Sequence, residues 1–181
     1  AVAGCGGGGE AGVSTTGSVL ITVHWPERSN PEPNTAVPEM IPQAANSFRI
    51  QLFKDDQLIQ EALIVRPDTQ ATFTGLPPTS LLLAAAAYPS YDGTGVAQAK
   101  AEKRVTVQAG KTTKVALTLQ STIAVVEVTP NPAQVTEGET VQLAATCKNA
   151  QGEVVAVAPV GAFTWTVIQG AQYASVDDQG L

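Results

Sequence analysis

Few residues of this 181-residue chain belong to types that do chemistry: one histidine, two cysteines and sixteen acids. His24 adjoins Trp25, so a hydrolase base is conceivable. No G-x-S-x-G nucleophile and no second histidine accompany it, however, and catalysis is not expected. Trp25, Tyr88 and Tyr91 offer flat faces on which a sugar ring could stack, but core packing for the tryptophan and edge decoration for the tyrosines account for them more simply. Asp55-Asp56, Asp92 and Asp177-Asp178 are oxygen donors of the kind calcium takes. Without a D-x-D-x-D-G loop they read as turn residues, so neither a metal nor any other cofactor is expected. Cys147 shares an apolar face with Val141 and Leu143 and reads as a small buried hydrophobe. A disulfide to Cys5 would need a glycine-rich segment to fold back, so the thiols are expected to stay apart.

These residues must be held by strands. Hydrophobic side chains make up 44% of the chain and charged ones 14%, enough apolar material for one or two cores and too little charge for long disordered tracts. Ten Lys and Arg scattered among sixteen acids form no basic stripe, which argues against a nucleic-acid partner. No apolar run approaches the ~18 residues needed to span a bilayer as a helix. Val19, Ile21, Val23 and Trp25 alternate with Thr22 and His24, the period of a half-buried strand. Residues 26–46 contain five prolines and no periodicity, so a long surface loop is expected. Alternation resumes at Phe48, Ile50 and Leu52, and Asp55-Asp56 separates them from Leu58–Val65 as in a hairpin. Ala71 and Phe73 lie on one face before the turn Gly75-Leu76-Pro77-Pro78. Leu81–Tyr88 has helix-favouring composition, yet it is short, bounded by prolines and surrounded by strands, so a buried strand is predicted. Asp92-Gly93 and Ala109-Gly110 mark turns around strands carrying Val105, Val107, Val115, Leu117 and Leu119. Seven short strands predict an antiparallel sandwich over about residues 17–120.

The opening Val2-Ala3-Gly4-Cys5, followed by four glycines, resembles the lipobox of bacterial lipoproteins. That resemblance implies lipid attachment at Cys5, cleavage just before it, and residues 1–4 as the remnant of a signal peptide. Two or three acyl chains hold a membrane firmly where one holds it marginally. The stretch Gly6–Gly17 cannot bury apolar area and reads as a flexible leash, so residues 1–16 form a lipobox remnant and tether.

The stretch Phe73-Thr74-Gly75-Leu76-Pro77-Pro78, then Ala86-Ala87-Tyr88, then Val105 to Thr112, resembles the prealbumin-like and carboxypeptidase-regulatory-like modules of bacterial surface proteins. Over residues 121–181, Thr129-Pro130, Glu137 to Leu143, Gln151-Gly152, Thr164-Trp165-Thr166 and Val176-Asp177 to Gly180-Leu181 resemble the group 2 bacterial immunoglobulin-like domain. Ile123–Val128 is predicted as a strand there, Val141, Leu143, Ala145 and Cys147 line the next, and Phe163, Trp165 and Val167 line another. The resemblance implies two further strands after Gly180-Leu181, so this second sheet is expected to be incomplete. Residues 17–120 balance nine basic against nine acidic groups, whereas 121–181 carry one against six, which supports a boundary near 121. The expected fold is all-β: two tandem antiparallel immunoglobulin-like β-sandwiches. The expected function is a non-enzymatic lipoprotein of the bacterial cell envelope, membrane-anchored at Cys5 and facing the periplasm or exterior. It would act as a surface stalk or adhesion module, with a protein or polysaccharide as possible ligand. The alternative is an accessory or carbohydrate-binding region of a larger secreted enzyme.

Overall fold

The computed structural model describes residues 14–25, 43–131, 136–158 and 163–181. The described chain is all-β, without a helix, and its strands form three sheets. A three-stranded sheet has the order β4-β1-β7, built from β1 (Gly17–Thr22), β4 (Gln70–Leu76) and β7 (Thr112–Val115). A five-stranded sheet has the order β3-β2-β5-β6-β8, from β2 (Ser47–Lys54), β3 (Gln57–Val65), β5 (Ser80–Tyr88), β6 (Ala99–Thr106) and β8 (Gln120–Ser121). A two-stranded sheet pairs β9 (Ile123–Asn131) with β10 (Gln142–Asn149).

Alternation dictates the packing of the first two sheets. Val19 and Ile21 of β1, Phe73 of β4 and Val115 of β7 point at Phe48, Ile50 and Leu52 of β2 and Leu81 and Leu83 of β5, and all belong to one buried cluster. The result is a sandwich-like arrangement in which each strand contributes every second residue. Both open flanks are tied by side chains reaching main-chain oxygens. Gln60 Nε2 donates to Thr74 O at 3.0 Å on the β3 side, and Lys103 Nζ donates to Ala116 O at 3.0 Å on the other.

The Leu81–Tyr88 segment is a strand, as expected, and sits mid-sheet between β2 and β6. Four consecutive alanines there prefer helix in isolation, but ladders on both sides and the burial of Leu81, Leu83, Ala85 and Ala87 override that preference. The predicted hairpin closes with Lys54 opposite Gln57, leaving Asp55 and Asp56 as a two-residue loop with φ of 49° and 63°. Positive φ at both positions is the turn whose twist matches the flanking strands. Gly17 answers a different demand: a Cβ there would lie 2.6 Å from Val107 Cγ1, so the first residue of β1 has no room for a side chain.

Three expectations need correction. The first unit is not wholly antiparallel, because β1 runs parallel to β7, Ser18 opposite Thr112 through Ile21 opposite Val115. Leu117 and Leu119 lie beyond β7 and approach the core from irregular backbone. Phe163, Trp165 and Val167 alternate in burial with their neighbours as a strand would, yet 163–168 pairs in no ladder. The proline-rich stretch 26–42 lies outside the described residues.

The aspartates of the β2–β3 loop occupy a conformation that costs side-chain-bearing residues energy and glycine almost none. Asp56→Gly is expected to raise unfolding stability by about 0.5–1 kcal/mol, after the extra freedom it gives the unfolded chain. Urea denaturation of both proteins measures this; a lower midpoint for the variant would contradict it.

Candidate functional site

His24 follows β1 and is exposed. It stands at the rim of an open cleft of about 310 Å³ whose apolar floor includes Ile21, Phe48, Val115 and Leu119, with Lys114 also at the edge. Among the described residues, no serine, cysteine or carboxylate lines this cleft. Trp25 is half-buried against the core cluster, and its indole Nε1 donates to Asp68 O at 2.6 Å. The Arg66 guanidinium stacks 4.9 Å from its ring centroid, occupying one aromatic face. Tyr88 has the Arg49 guanidinium 5.8 Å from its ring centroid, and Tyr91 is 58% exposed. Each of the first two rings thus has its own arginine, so they do not form a bare platform for a sugar.

The aspartates act as turn residues. Asp92 Oδ1 accepts from Thr94 Oγ1 at 2.6 Å and from Thr94 N at 3.1 Å. Hydrogen bonds from the Thr94 side chain, then from Ser90, then from the Thr94 backbone hold its carboxyl below the usual carboxylate range. Asp177 Oδ1 accepts from Gln179 N at 2.8 Å and Leu181 N at 2.9 Å, while Asp177 N donates to Leu181 O at 3.0 Å. These backbone donors, Leu181 first and Gln179 next, lower its pKa. Glu139 closes a turn in the same manner, accepting from Thr136 N and Thr136 Oγ1 at 3.0 and 2.9 Å around Gly138, whose φ is +88°. Among the described residues, no three His, Cys, Asp or Glu side chains cluster as a metal site would require.

Cys147 lies on β10 opposite Val126 and is buried, which pushes its thiol pKa up. Such a thiol is a poor nucleophile at neutral pH. Cys5 lies outside the described residues.

Sequence reasoning missed the residue that joins the first two sheets to the third. Gln98 is 1% exposed. Its N–H donates to Ala87 O at 2.9 Å, its carbonyl accepts from Thr122 N at 3.0 Å, and its Nε2 donates to Ala156 O at 2.7 Å. Thr122 Oγ1 adds a bond to Ala97 O, and Val155 is buried beside this junction. Nothing local announces that role, because the partner carbonyl lies 58 residues further along the chain. Around it, Asn149 organises its own turn, with Oδ1 accepting from Gln151 N and Glu153 N and Nδ2 donating to Glu153 Oε2.

No protein-family model, curated protein or solved structure matches the chain. Function therefore rests on the residues themselves.

The Asp177 turn carries a pH dependence of known sign. A carboxylate whose folded pKa is depressed stabilises the fold above its unfolded pKa, and that contribution is lost as pH falls through the folded value. The Gln179 and Leu181 amide proton shifts should therefore titrate together, with a midpoint below that of an aspartate in an unfolded peptide. Amide NMR across the acid range checks this, and a midpoint at or above the peptide value would contradict it.

Proposed function

We propose that this protein is a non-enzymatic lipoprotein of the bacterial cell envelope. Cys5 carries the lipid, the glycine-rich stretch after it tethers the lipid to β1, and the β units at about 17–120 and 121–181 are tandem immunoglobulin-like sandwiches that form a stalk for surface adhesion or interaction. The single observation that carries the reading is the junction at Gln98. A stalk has to pass force and orientation from one unit to the next, and a buried side chain donating 2.7 Å across the junction to Ala156 O is a connection of the kind that does so. The opening Val2-Ala3-Gly4-Cys5 motif and the glycine stretch behind it supply the attachment. Sheets suit the task because opening them requires breaking pairings between residues distant in sequence, and loops at their ends tolerate variation. The acidic bias of residues 121–181 favours solubility and spacing near an anionic surface.

Labelled palmitate tests the anchor: it is expected to enter the wild-type protein in a bacterial host and not Cys5→Ser. Equal incorporation into both would defeat the assignment. The junction has its own test. Gln98→Met keeps volume and removes the bond to Ala156 O, so hydrogen exchange at the Val155 amide should speed up by about five- to tenfold, the size of one lost hydrogen bond. Exchange in β2 and β5 should change far less. Unchanged exchange at Val155 would remove Gln98 as the joint.

A further inference from the structure

The outer face of the five-stranded sheet is not a plain solvated surface. Register places Leu63, Arg49, Ala86, Lys100 and Gln120 side by side in one row across β3, β2, β5, β6 and β8. Arg49 and Lys100 flank Ala86, two strand spacings or about 9.5 Å apart. Both carry long side chains, and the residue between them is a methyl, so the two cations border a dip. Tyr88, the next outward residue on β5, walls it at one end. The loop after β5 closes behind Tyr88: Ser47 Oγ donates to Ser90 O at 2.7 Å, and the Arg49 guanidinium lies so close to Gly93 that an added Cβ would be 3.1 Å from Nη2.

Neither cation is neutralised. Arg49 and Lys100 form no ion pair among the described residues, and Arg49 Nε is shielded from solvent without a hydrogen-bond partner. The acids of this face stand one row further on, where Glu61, Gln51, Ala84 and Glu102 are aligned. Glu61 is engaged by Gln51 Nε2 at 2.6 Å. The face is therefore polarised, with a cationic row beside the Tyr88 wall and an acidic row behind it.

The dip is a concavity of about 220 Å³, and it shares Tyr88 and Lys100 with a second one of about 620 Å³ that runs past Thr122 to Asn149, Gln151 and Glu153. The groove thus begins at two cations without ion pairs among the described residues, Arg49 lying over the Tyr88 ring, and continues past Val96 and Ala97 and over Thr122, Asn149 and Gln151 to the Glu153 carboxylate, which Asn149 Nδ2 holds at 2.8 Å. A small inorganic anion would fill only its cationic end. The apolar part of the lining is Val96 and alanines, side chains too small to form the deep pockets a peptide would seek.

We propose that the groove binds an acidic oligosaccharide, with one uronate carboxylate seated above Ala86 between Arg49 and Lys100 and the adjoining sugars directed toward Thr122 and Gln151. Arg49 and Lys100 supply charge-assisted donors, the Tyr88 hydroxyl supplies a neutral one, and the alanine floor leaves room for a ring. Glu102 repels a second carboxylate at the near end and directs the chain the other way, where the Glu153 carboxylate is already engaged by Asn149 Nδ2. The site uses neither Cys5 nor the Gln98 side chain, although Thr122, which lines it, donates its N–H to Gln98 O.

Calorimetric titration of the full chain with trigalacturonate is the test, with maltotriose, inorganic phosphate and hexaglutamate as comparisons. Trigalacturonate is expected to bind most tightly. Lys100→Gln and Arg49→Gln should each weaken it about tenfold, as loss of a charge-assisted bond implies, and Glu102→Gln should tighten it several-fold. Lys100 is exposed, so its variant should keep the wild-type melting temperature even if the half-buried Arg49 variant loses stability. Absence of binding, maltotriose binding as tightly, or an unchanged Kd in Lys100→Gln would overturn the site. Equal affinity for hexaglutamate, or for phosphate, would overturn its assignment to a saccharide.

Discussion

Strand β1 is hydrogen-bonded on both sides, antiparallel to β4 and parallel to β7, while Val19 and Ile21 are buried beneath it. The rest of the first unit depends on this constraint. A parallel partner cannot be reached by a tight turn, so β1 and β7 meet only after the intervening strands have been laid down. The register is pinned at Gly17, where the backbone approaches Val107 too closely for a side chain, and Gly110 N donates to Thr16 O at 2.8 Å just before it. Slipping β1 by one residue would turn Val19 and Ile21 to solvent and Leu20 into the core. The first strand and β7 thus fix each other, and the five-stranded sheet has one face against which to close.

Local chemistry made some of this legible from the residues. Alternation around Val19, Phe48 and Phe73 identified the inward face, and Asp55-Asp56 identified the hairpin, because side-chain period and turn conformation are set within a few residues. The alanine-rich β5 was legible only through its boundaries and neighbours, since its own composition points to helix. Parallel pairing of β7 with β1 was not legible, for each strand's pattern is the same whichever way its partner runs. Trp165 shows a further limit. Its apolar alternation is present, yet it is held by packing, with its ring 3.1 Å from where a Cβ on Gly180 would stand and 6.1 Å from the Phe163 centroid. Alternation reports which side faces inward; it does not report whether a ladder forms.

The two-stranded sheet shows what half a layer can and cannot do. β9 and β10 pair along their whole length, and Lys148 Nζ meets Glu127 Oε2 at 2.7 Å across them. The far side of β10 receives Leu143 N to Gly180 O, Val155 N to Cys147 O and Asn149 N to Glu153 O. Its outward edge is therefore partly occupied by irregular backbone held in place by Asp177 and Asn149. β9 has no such cover among the described residues, and Val125, Val126 and Val128 remain about half exposed. A two-stranded sheet gains less from burial than the eight strands before it, so more of its order rests on short hydrogen-bonded turns.

Those unequal supports meet at Gln98. An apolar residue could fill that buried position without leaving Oε1 unpartnered among the described residues, an omission that costs on the order of 1–3 kcal/mol. Apolar contact, however, is indifferent to direction. The amide donating to Ala156 O, with main-chain bonds to Ala87 and from Thr122, specifies one orientation of the segment after β10 relative to the end of β5. Tolerating a half-satisfied side chain exchanges some stability for a defined joint, and the fold bears that loss because the core cluster of the first unit lies immediately beneath it, through Ala87 and Ala99 on either side of the same backbone. The buried amide thus ties the segment after β10 to the end of β5 above an apolar cluster that belongs to the first unit alone, and the surface from Tyr88 to Gln151 is lined from both sides of that tie.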